Sequence, residues 1–506
     1  MKKLVLALVT AAAVVAAALI PSGPPVEAAS KGFGSAVSAV RQTAWQTNAS
    51  VNALAIAGNT VFAGGIFTRI RPPGAAKGQR ESVRTYVAAF NKTTGAPTTF
   101  APKLNGAVYS IATSPDGKWV VLGGDFTTVN GVKRSKVALF NAATGALAAS
   151  WDPVVAARVK TLAIYGNSVF IGGAFTKIDG QVRNRVGAVT LSTGALLKWN
   201  PNADDDVYAI ATSDNGTRVF VGGPFTKINS RDHYSVAMVN STTGAALAFP
   251  AADGIPEPTW ECTTRVKAID TLGNRVFIGN GGDGPGCYDG IIAADATTGK
   301  MLWQSHCLGA NEALKAIDGW LYKGSHAHDC SRDGSFGDGT GTHYLLTQSV
   351  ANGKIGPWFP NTDADQNSTT KVGPLAFAGD STGLWAGGDF LHVAGKGQQG
   401  LTRFSSAPGG AFPAVPKAPA LTAGKAKVTV KFTDVYDLDN ITLTYNVFRG
   451  NTRIGSYKYN SYYWDKRKSY TVTDTGVKSG QTVGYRIVVT DDRNTVKSST
   501  ATVKVQ

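Results

Sequence analysis

The chain has 506 residues and a formal net charge of +16. About half of this excess lies in the last fifth of the chain, where residues 414–506 contain 15 Lys and Arg against 7 Asp, a net charge of +8. A basic segment of this kind attracts teichoic acid, acidic polysaccharide or anionic lipid headgroups, unless it is only a solvated surface. The absence of a recognition motif argues against a nucleic-acid partner.

Residues 1–28 have the features of an export signal. Two lysines precede an apolar stretch (4–20), and small residues surround a predicted cleavage site after Ala28. Prolines after the apolar stretch argue against the alternative, an uncleaved membrane anchor. The sequence therefore predicts a secreted protein, extracellular or loosely associated with the cell wall, with no transmembrane anchor after signal removal.

A short glycine-rich phrase recurs along residues 29–405. Five copies contain two adjacent glycines, at 61–68, 121–127, 170–176, 220–226 and 385–390, and two degenerate copies lie around Phe277 and Tyr322. Their spacing of about 45 to 64 residues fits one four-stranded sheet per copy. An aromatic residue after each Thr-Gly turn gives the same count of seven once Trp45 is included. We therefore predict that the segment around Trp45 supplies the outer strand of the last unit.

These Gly-Gly-x-Phe-Thr units resemble the secreted bacterial β-propeller repeats that are common in actinobacteria. Arg134, Arg183 and Arg185 in the following loops and the Thr-Gly turns share the resemblance, whereas the Trp-Asp and Gly-His signatures of WD repeats are absent. The resemblance implies an all-β fold, a seven-bladed β-propeller over residues 29–405 closed by its N-terminal strand. It also implies an extracellular binding role, and it brings no catalytic residues because that family has no settled activity.

A Pro- and Gly-rich linker at 406–420 leads to a second predicted domain, at 421–506. Alternating apolar and polar segments predict β-strands at 427–432, 443–448, 470–473, 484–490 and 499–505. The run from Asp474 through Gly480 to Tyr485 resembles the corner and penultimate strand of fibronectin type III modules. Because no Trp lies on the second strand, where many such modules have one, the resemblance implies only a fibronectin type III-like β-sandwich.

All four cysteines lie in the two degenerate units. An even number of cysteines in an exported chain favours two disulfides over a metal site or a redox pair. Cys262 and Cys307 precede the first strands of units five and six, and Cys287 and Cys330 follow the second strands. Repeat alignment places these loops on one face, which predicts the pairs Cys262–Cys287 and Cys307–Cys330, although spacing alone allows three pairings.

The same loops concentrate side chains suited to binding, including four of the six histidines. The candidate ligand-binding residues are Trp260, Glu261, Asp283, Tyr288, His306, His326, His328 and Asp329. Histidines and carboxylates could hold a transition metal or act as acid and base, and the aromatic rings could stack on a sugar. The alternative is that these loops are solvated turns pinned by disulfides.

The predicted function is a secreted binding protein that recognises a glycan or another cell-envelope ligand through the loop face of units five and six. The alternatives are an extracellular polysaccharide hydrolase or lyase that uses the His/Asp cluster of unit six, and a non-catalytic protein-docking scaffold. We predict a glycan or anionic cell-wall polymer as partner, with a protein partner as a further possibility, and no nucleic acid. We assign no catalytic or metal-ligating residue and predict no cofactor. The aspartates at 204–206, 363 and 365 are weaker candidates for calcium, with ordinary turns as the alternative.

Overall fold

The computed structural model describes residues 37–284, 286–365, 372–406 and 410–506. The predicted export signal, 1–28, and part of the predicted linker lie outside the described residues. Over these ranges the helical elements are two short 3-10 turns, Pro250–Gly254 and Ser331–Asp333, so the chain is all-β. None of the helices in this part of the chain is long and apolar enough to cross a membrane.

Seven larger antiparallel sheets follow one another in the described part of residues 41–405, each built on a meander of three main strands. We number them sheets 1 to 7 in chain order and call their first three strands inner, middle and third. Sheets 1 to 3 consist of Val51–Ala57, Thr60–Gly65 and Val87–Asn91; Val108–Thr113, Trp119–Gly124 and Val137–Asn141; and Val159–Tyr165, Ser168–Gly173 and Val186–Thr190. Sheets 4 and 5 consist of Ala209–Thr212, Arg218–Gly222, Val236–Asn240 and Ala246–Leu247; and Thr263–Leu272, Arg275–Asp283, Ile291–Asp295 and Met301–Gln304. Sheets 6 and 7 consist of Asn311–Ile317, Trp320–Ala327 and His343–Ser349; and Gly373–Asp380, Gly383–Asp389 and Leu401–Ser405.

Short additional strands lie between the middle and third strands of several sheets. They form the hairpins Thr128–Val129 with Val132–Lys133, Lys177–Ile178 with Gln181–Val182, Lys227–Ile228 with Arg231–Asp232, and His392–Val393 with Lys396–Gly397. In sheet 1 the corresponding strands are Arg69–Arg71 and Ser82–Val83, and Gln46–Thr47 pairs with the first of them.

The paired glycines of the middle strands allow successive sheets to pack closely. A Cβ atom on Gly64 would lie 2.4 Å from the side chain of Val108 in the next sheet, and one on Gly65 would lie 2.1 Å from the Ser50 carbonyl oxygen. Both distances are too short for any side chain, so only glycine fits. A Cβ atom on Gly387 in sheet 7 would likewise lie 2.5 Å from the side chain of Val51 in sheet 1. The contact that joins neighbouring sheets therefore also joins the last sheet to the first.

The N-terminal segment adds the outer strand to sheet 7. Residues Arg41–Gln42 pair with the third strand of that sheet, so the pairing lies three residues before Trp45. The Trp45 side chain instead packs into a core shared by sheets 7 and 1. Inner-strand residues of all seven sheets line one central cavity of about 190 Å³.

Residues 420–504 form a β-sandwich. Its three-stranded sheet consists of Ala420–Gly424, Lys427–Thr433 and Ser469–Asp474, and its five-stranded sheet consists of Thr442–Arg449, Thr452–Asn460, Thr482–Thr490, Thr495–Lys497 and Ala501–Lys504. Apolar side chains of both sheets, among them Val430 and Tyr445, form one buried core. The sandwich packs on sheet 6 and on the N-terminal segment: the Tyr463 ring stacks on Phe359 at 3.6 Å, and the Ala39 amide donates to Asp439.

Candidate ligand-binding face

Sheet 5 projects beyond the other sheets at one end of the central cavity. Its inner strand begins at Thr263, which pairs with Asp283. Thr263 lies four residues before the bulge residue Lys267. In sheet 1 only one residue precedes the corresponding bulge. At about 3.3 Å per residue, the extra three residues raise this hairpin by roughly 10 Å. The Cys262–Cys287 disulfide joins its tip, and Cys307–Cys330 joins the neighbouring loops of sheet 6, which is the predicted pairing. We call the projecting end of sheet 5, which the Cys262–Cys287 disulfide joins, the crest.

A second set of side chains lies around the central cavity, below the crest. The inner strands of six sheets contain a β-bulge at the same position. The residues at the bulges are Asn52, Tyr109, Lys160, Lys267, Glu312 and Leu375, and Tyr208 holds the same place in sheet 4. A bulge turns one side chain out of the alternation of its strand, and all seven of these residues line the central cavity. We call them the axial ring.

Charge pairs and an aromatic contact organise the axial ring. The Lys160 ammonium is 2.7 Å from the Asp206 carboxylate and 4.1 Å from the centre of the Tyr208 ring. In the neighbouring sheets 5 and 6, Lys267 lies 2.5 Å from Glu312. These charged side chains are only partly buried, and the contacts hold them in place without removing them from the cavity wall. The axial ring therefore offers fixed hydrogen-bond donors and acceptors beside aromatic rings, which is what a site for a polar ligand needs.

His326, on the middle strand of sheet 6, interacts electrostatically with Lys267 and Glu312 of the axial ring. Burial lowers the pKa of its imidazole; Asp289 and Glu312 oppose the shift, while Lys267 adds to it. The imidazole is therefore neutral at pH 7. Its Nδ1 atom is buried and has no hydrogen-bond partner among the described residues.

Trp260 is the most exposed large apolar side chain on the crest. It is 93% exposed and lies two residues before Cys262 of the crest disulfide. Glu261 is also exposed beside it, and the exposed Asp283 pairs with Arg265 on the adjacent strand. Of the predicted residues, these three face solvent on the projecting end of sheet 5.

Tyr288 and His306 meet beneath that surface. Tyr288 is 7% exposed and donates its hydroxyl to the Ser305 carbonyl oxygen at 2.8 Å, and burial raises its pKa well above the usual value. The His306 amide donates to both carboxylate oxygens of Asp333 at 3.0 Å, and its ring lies edge-on to Tyr288. The Tyr288 ring thus packs inside the protein and supports the crest from below.

The remaining predicted residues lie on the loops of sheet 6. His328 is half exposed, with Nδ1 3.5 Å from the exposed Asp338 carboxylate, and its ring centre is 6.5 Å from that of His326. Asp329 accepts a hydrogen bond from the Ser331 amide at 2.9 Å, and the Ser331 hydroxyl together with this bond lowers the pKa of Asp329. The Asp329 carboxylate therefore stabilises a turn.

Buried polar side chains lie between sheets 5 and 6. Lys323 lies at a core position that is aliphatic in the other sheets, which have Ala63, Leu122, Ile171, Val221, Ile278 and Ala386 there. It is fully buried, its Nζ atom lies 3.3 Å from Cys307 Sγ, and burial lowers its pKa to about 8. Nearby, the Asn311 amide donates to the Asn280 carbonyl oxygen at 3.0 Å. These polar substitutions make the junction beneath the crest unlike the other sheet junctions.

No group of three His, Cys, Asp or Glu side chains is arranged to hold a metal ion in the described ranges. The weaker calcium candidates have structural partners. Asp204 accepts from the Thr226 and Lys227 amides at 2.9 Å, and Asp363 accepts from the His392 amide at 2.8 Å. Both aspartates thereby hold a short hairpin of their own sheet.

Sequence reasoning missed the axial ring, although the repeats contain a pattern that could have revealed it. Each ring position follows a residue that is valine in sheets 1 to 5 and precedes a small residue, while the ring residue itself varies among polar, aromatic and charged types and is leucine in sheet 7. A variable position between constant neighbours indicates a side chain that does not serve packing.

Comparison with known proteins gives a short family match and distant structural similarity. Residues 114–147 match the family model described as "Domain of unknown function (DUF5122) beta-propeller". No curated protein matches the chain. A chain of the solved structure "Crystal Structure of Mitotic Checkpoint Complex" aligns at 13% identity and a TM-score of 0.45, with 72% of this chain and 94% of that chain covered. "Crystal structure of RRP9 WD40 repeats" aligns at 10% identity and a TM-score of 0.44, covering 72% and 99%. The family match and the repeated meander sheets identify a β-propeller domain in this chain.

Proposed function

We propose that this protein is a secreted binding protein that recognises a glycan, or another cell-envelope ligand, through the face formed by the crest and the axial ring. In this proposal residues 29–405 form a seven-bladed propeller closed by its N-terminal strand, and residues 421–506 form a fibronectin type III-like sandwich. Seven consecutive meander sheets and the strand pairing at Arg41–Gln42 support the closed ring. Two disulfides are consistent with an oxidising, extracellular location.

The exposure of Trp260 is the observation that carries the binding proposal. The ring of Trp260 is available to a partner over almost its whole surface, and the disulfide beside it restricts the loop before any ligand arrives, which lowers the entropic cost of binding. An indole face packs well against the apolar face of a pyranose ring, while the axial ring offers partners for hydroxyl groups.

The environment of the acidic side chains favours binding over hydrolysis. Asp289 accepts from the Gly282 and Gly309 amides, and Asp333 accepts from Ser305 and His306. Carboxylates that hold loop backbone in this way are poorly placed to act as a free acid and base pair.

The test is glycan-array and cell-wall binding by the chain from residue 29, compared with Trp260→Ala. We expect Trp260→Ala to weaken binding about 10- to 30-fold, as loss of a central aromatic anchor does. Phe412→Ala is the matched control, because Phe412 is another exposed aromatic residue, 66% exposed, and it lies in the segment before the first strand of the sandwich. Equal affinities for both variants and the unmodified chain would contradict the proposal.

A further inference from the structure

The sandwich separates its charges between interior and surface. Five of its seven aspartates are at most 6% exposed: Asp434, Asp437, Asp439, Asp474 and Asp491. Arg449 and Arg467 pair with two of these aspartates. The outer surface is therefore far more basic than the count of +8 for residues 414–506 suggests.

The strand register shows that one face collects much of this positive charge. Residues directly opposite each other in antiparallel strands share a face. Thr444 is opposite both Lys458 and Thr490, Phe448 is opposite both Arg453 and Arg486, and Val488 is opposite Lys497. Lys504 is opposite Thr482 on the same face. The solvent-facing side of the five-stranded sheet thus carries Arg453, Lys458, Arg486, Lys497 and Lys504.

This basic face holds no carboxylate on its strands, and none of its five cations forms an ion pair within 4 Å in the described chain. With strands about 4.8 Å apart and same-face residues about 6.8 Å apart along each strand, neighbouring cations lie roughly 8 to 14 Å from one another. One small anion cannot bridge such distances. A linear polymer with repeated negative charges can contact several of them at once.

The other side chains on the face favour a polysaccharide. Thr444, Thr490 and Thr495 form a row of hydroxyl groups across three strands, beside Lys458. Hydroxyl groups suit hydrogen bonding to sugars. The one aromatic residue on the face, Phe448, is covered by the Arg486 guanidinium at 5.0 Å, so the face has no free ring on which a nucleic-acid base could stack. It also has no exposed large apolar side chain to enter a membrane.

We propose that the outer face of the five-stranded sheet binds a linear acidic polysaccharide. This is a second site, separate from the crest, and it would hold the protein on an anionic matrix while the propeller face remains accessible. Because the attraction is between exposed charges, it weakens as salt concentration rises.

The experiment measures binding of the chain from residue 29 to dextran sulfate and polygalacturonate, with neutral dextran, poly(dT) and phosphatidylserine vesicles as comparison arms. The double variant Lys458→Gln/Lys497→Gln should lose about tenfold in affinity for the two acidic polysaccharides, from about 0.7 kcal/mol per lost contact. The matched control is Lys427→Gln/Lys431→Gln, which removes the same charge from the opposite, three-stranded sheet and should lose less than about twofold.

Three results would overturn the proposal. Equal losses in the two double variants would mean attraction to net charge alone, without a site. Tighter binding to poly(dT) or to the vesicles would assign the face to nucleic acid or to membrane. If the protein showed no salt-sensitive binding to either acidic polysaccharide, the face would have no polysaccharide site. These outcomes involve only lysines of the sandwich, so they are independent of the Trp260 test.

Discussion

Lys323 shows how a single residue sets one sheet junction apart. A fully buried ammonium group loses its hydration, and the Cys307 sulfur at 3.3 Å is a weak partner for it. Asp333 and Asp289 offset part of this cost through their charges. The pKa of Lys323 falls to about 8 from 10.5, so folding is penalised below pH 8, and the penalty disappears as the pH rises to the unfolded value.

We expect Lys323→Met to raise the melting temperature at pH 7. Methionine fills similar volume without a buried charge, and replacing such charges by apolar groups often stabilises a protein by about 1–2 kcal/mol, or roughly 2–4 °C. Differential scanning calorimetry at pH 7 and pH 10 measures this, and the advantage of the variant should shrink at pH 10. A lower melting temperature at pH 7 would show that the attraction to Asp333 and Asp289 outweighs the desolvation cost.

The positions of some residues could be predicted from the sequence because a local pattern or the repeat determines them. The glycine pairs and the two disulfides belong to this group, because repeat alignment places equivalent residues at equivalent positions. The axial ring was missed because a bulge breaks the two-residue alternation from which strand faces are predicted. The burial of Tyr288 was also missed, because it depends on its contact with Ser305 in the following loop.

At the scale of the strand, the glycine contacts determine whether the ring of sheets can close. The same glycine-to-valine contact recurs between sheets 1 and 2 and between sheets 7 and 1. Closure between the chain's two ends is therefore built from the packing unit used elsewhere, and the Arg41–Gln42 strand adds backbone pairing to it.

We expect Gly387→Ala to destabilise the propeller by about 1–3 kcal/mol, because its new Cβ atom would meet Val51 at 2.5 Å. Urea unfolding followed by tryptophan fluorescence measures the change. The control, Gly397→Ala, introduces a methyl group with nothing within 4 Å and should change stability little.

A second substitution tests whether the clash itself causes the loss. Val51→Ala in the Gly387→Ala background should restore part of the stability, giving a non-additive double-mutant cycle. Full additivity would mean that residues 387 and 51 are not in contact, and that the two ends of the ring do not meet as described.

Across the whole molecule, the contact between sandwich and sheet 6 joins residues far apart in sequence, which is why no local pattern predicted it. His343 is central to this contact. It is 3% exposed, its Nδ1 hydrogen-bonds with the Tyr463 hydroxyl, and its Nε2 lies 3.2 Å from Thr340 Oγ1. Burial lowers the pKa of His343 to about 4, and the positive charges of Lys323 and His328 add to the shift.

A second buried group in the sandwich side of this junction responds to pH in the opposite sense. Burial and the neighbouring charges of Asp439 and Asp491 raise the pKa of Asp437 to about 8, well above 3.8. A raised carboxyl pKa gives stability that is fully present below about pH 4 and is lost as pH rises towards 8. A lowered histidine pKa gives stability that is fully present above pH 6.5 and is lost as pH falls to about 4.

These opposite slopes predict how the junction responds to pH. Between pH 6.5 and pH 4 His343 becomes protonated in the unfolded chain but stays neutral in the folded chain. Acid therefore favours the unfolded state at this residue and should weaken the docking of the sandwich on sheet 6. His343→Gln keeps polar contacts but cannot titrate, and its melting temperature should fall less than that of the unmodified chain between pH 7 and pH 4.5. Asp437→Asn should instead remove the loss of stability between pH 6.5 and pH 8, and it should steepen the acid limb, because the opposing contribution of Asp437 between pH 4 and pH 6.5 is then absent. Calorimetry of the three chains across this range separates the two groups, and identical acid limbs for His343→Gln and the unmodified chain would show that the junction is not what acid loosens.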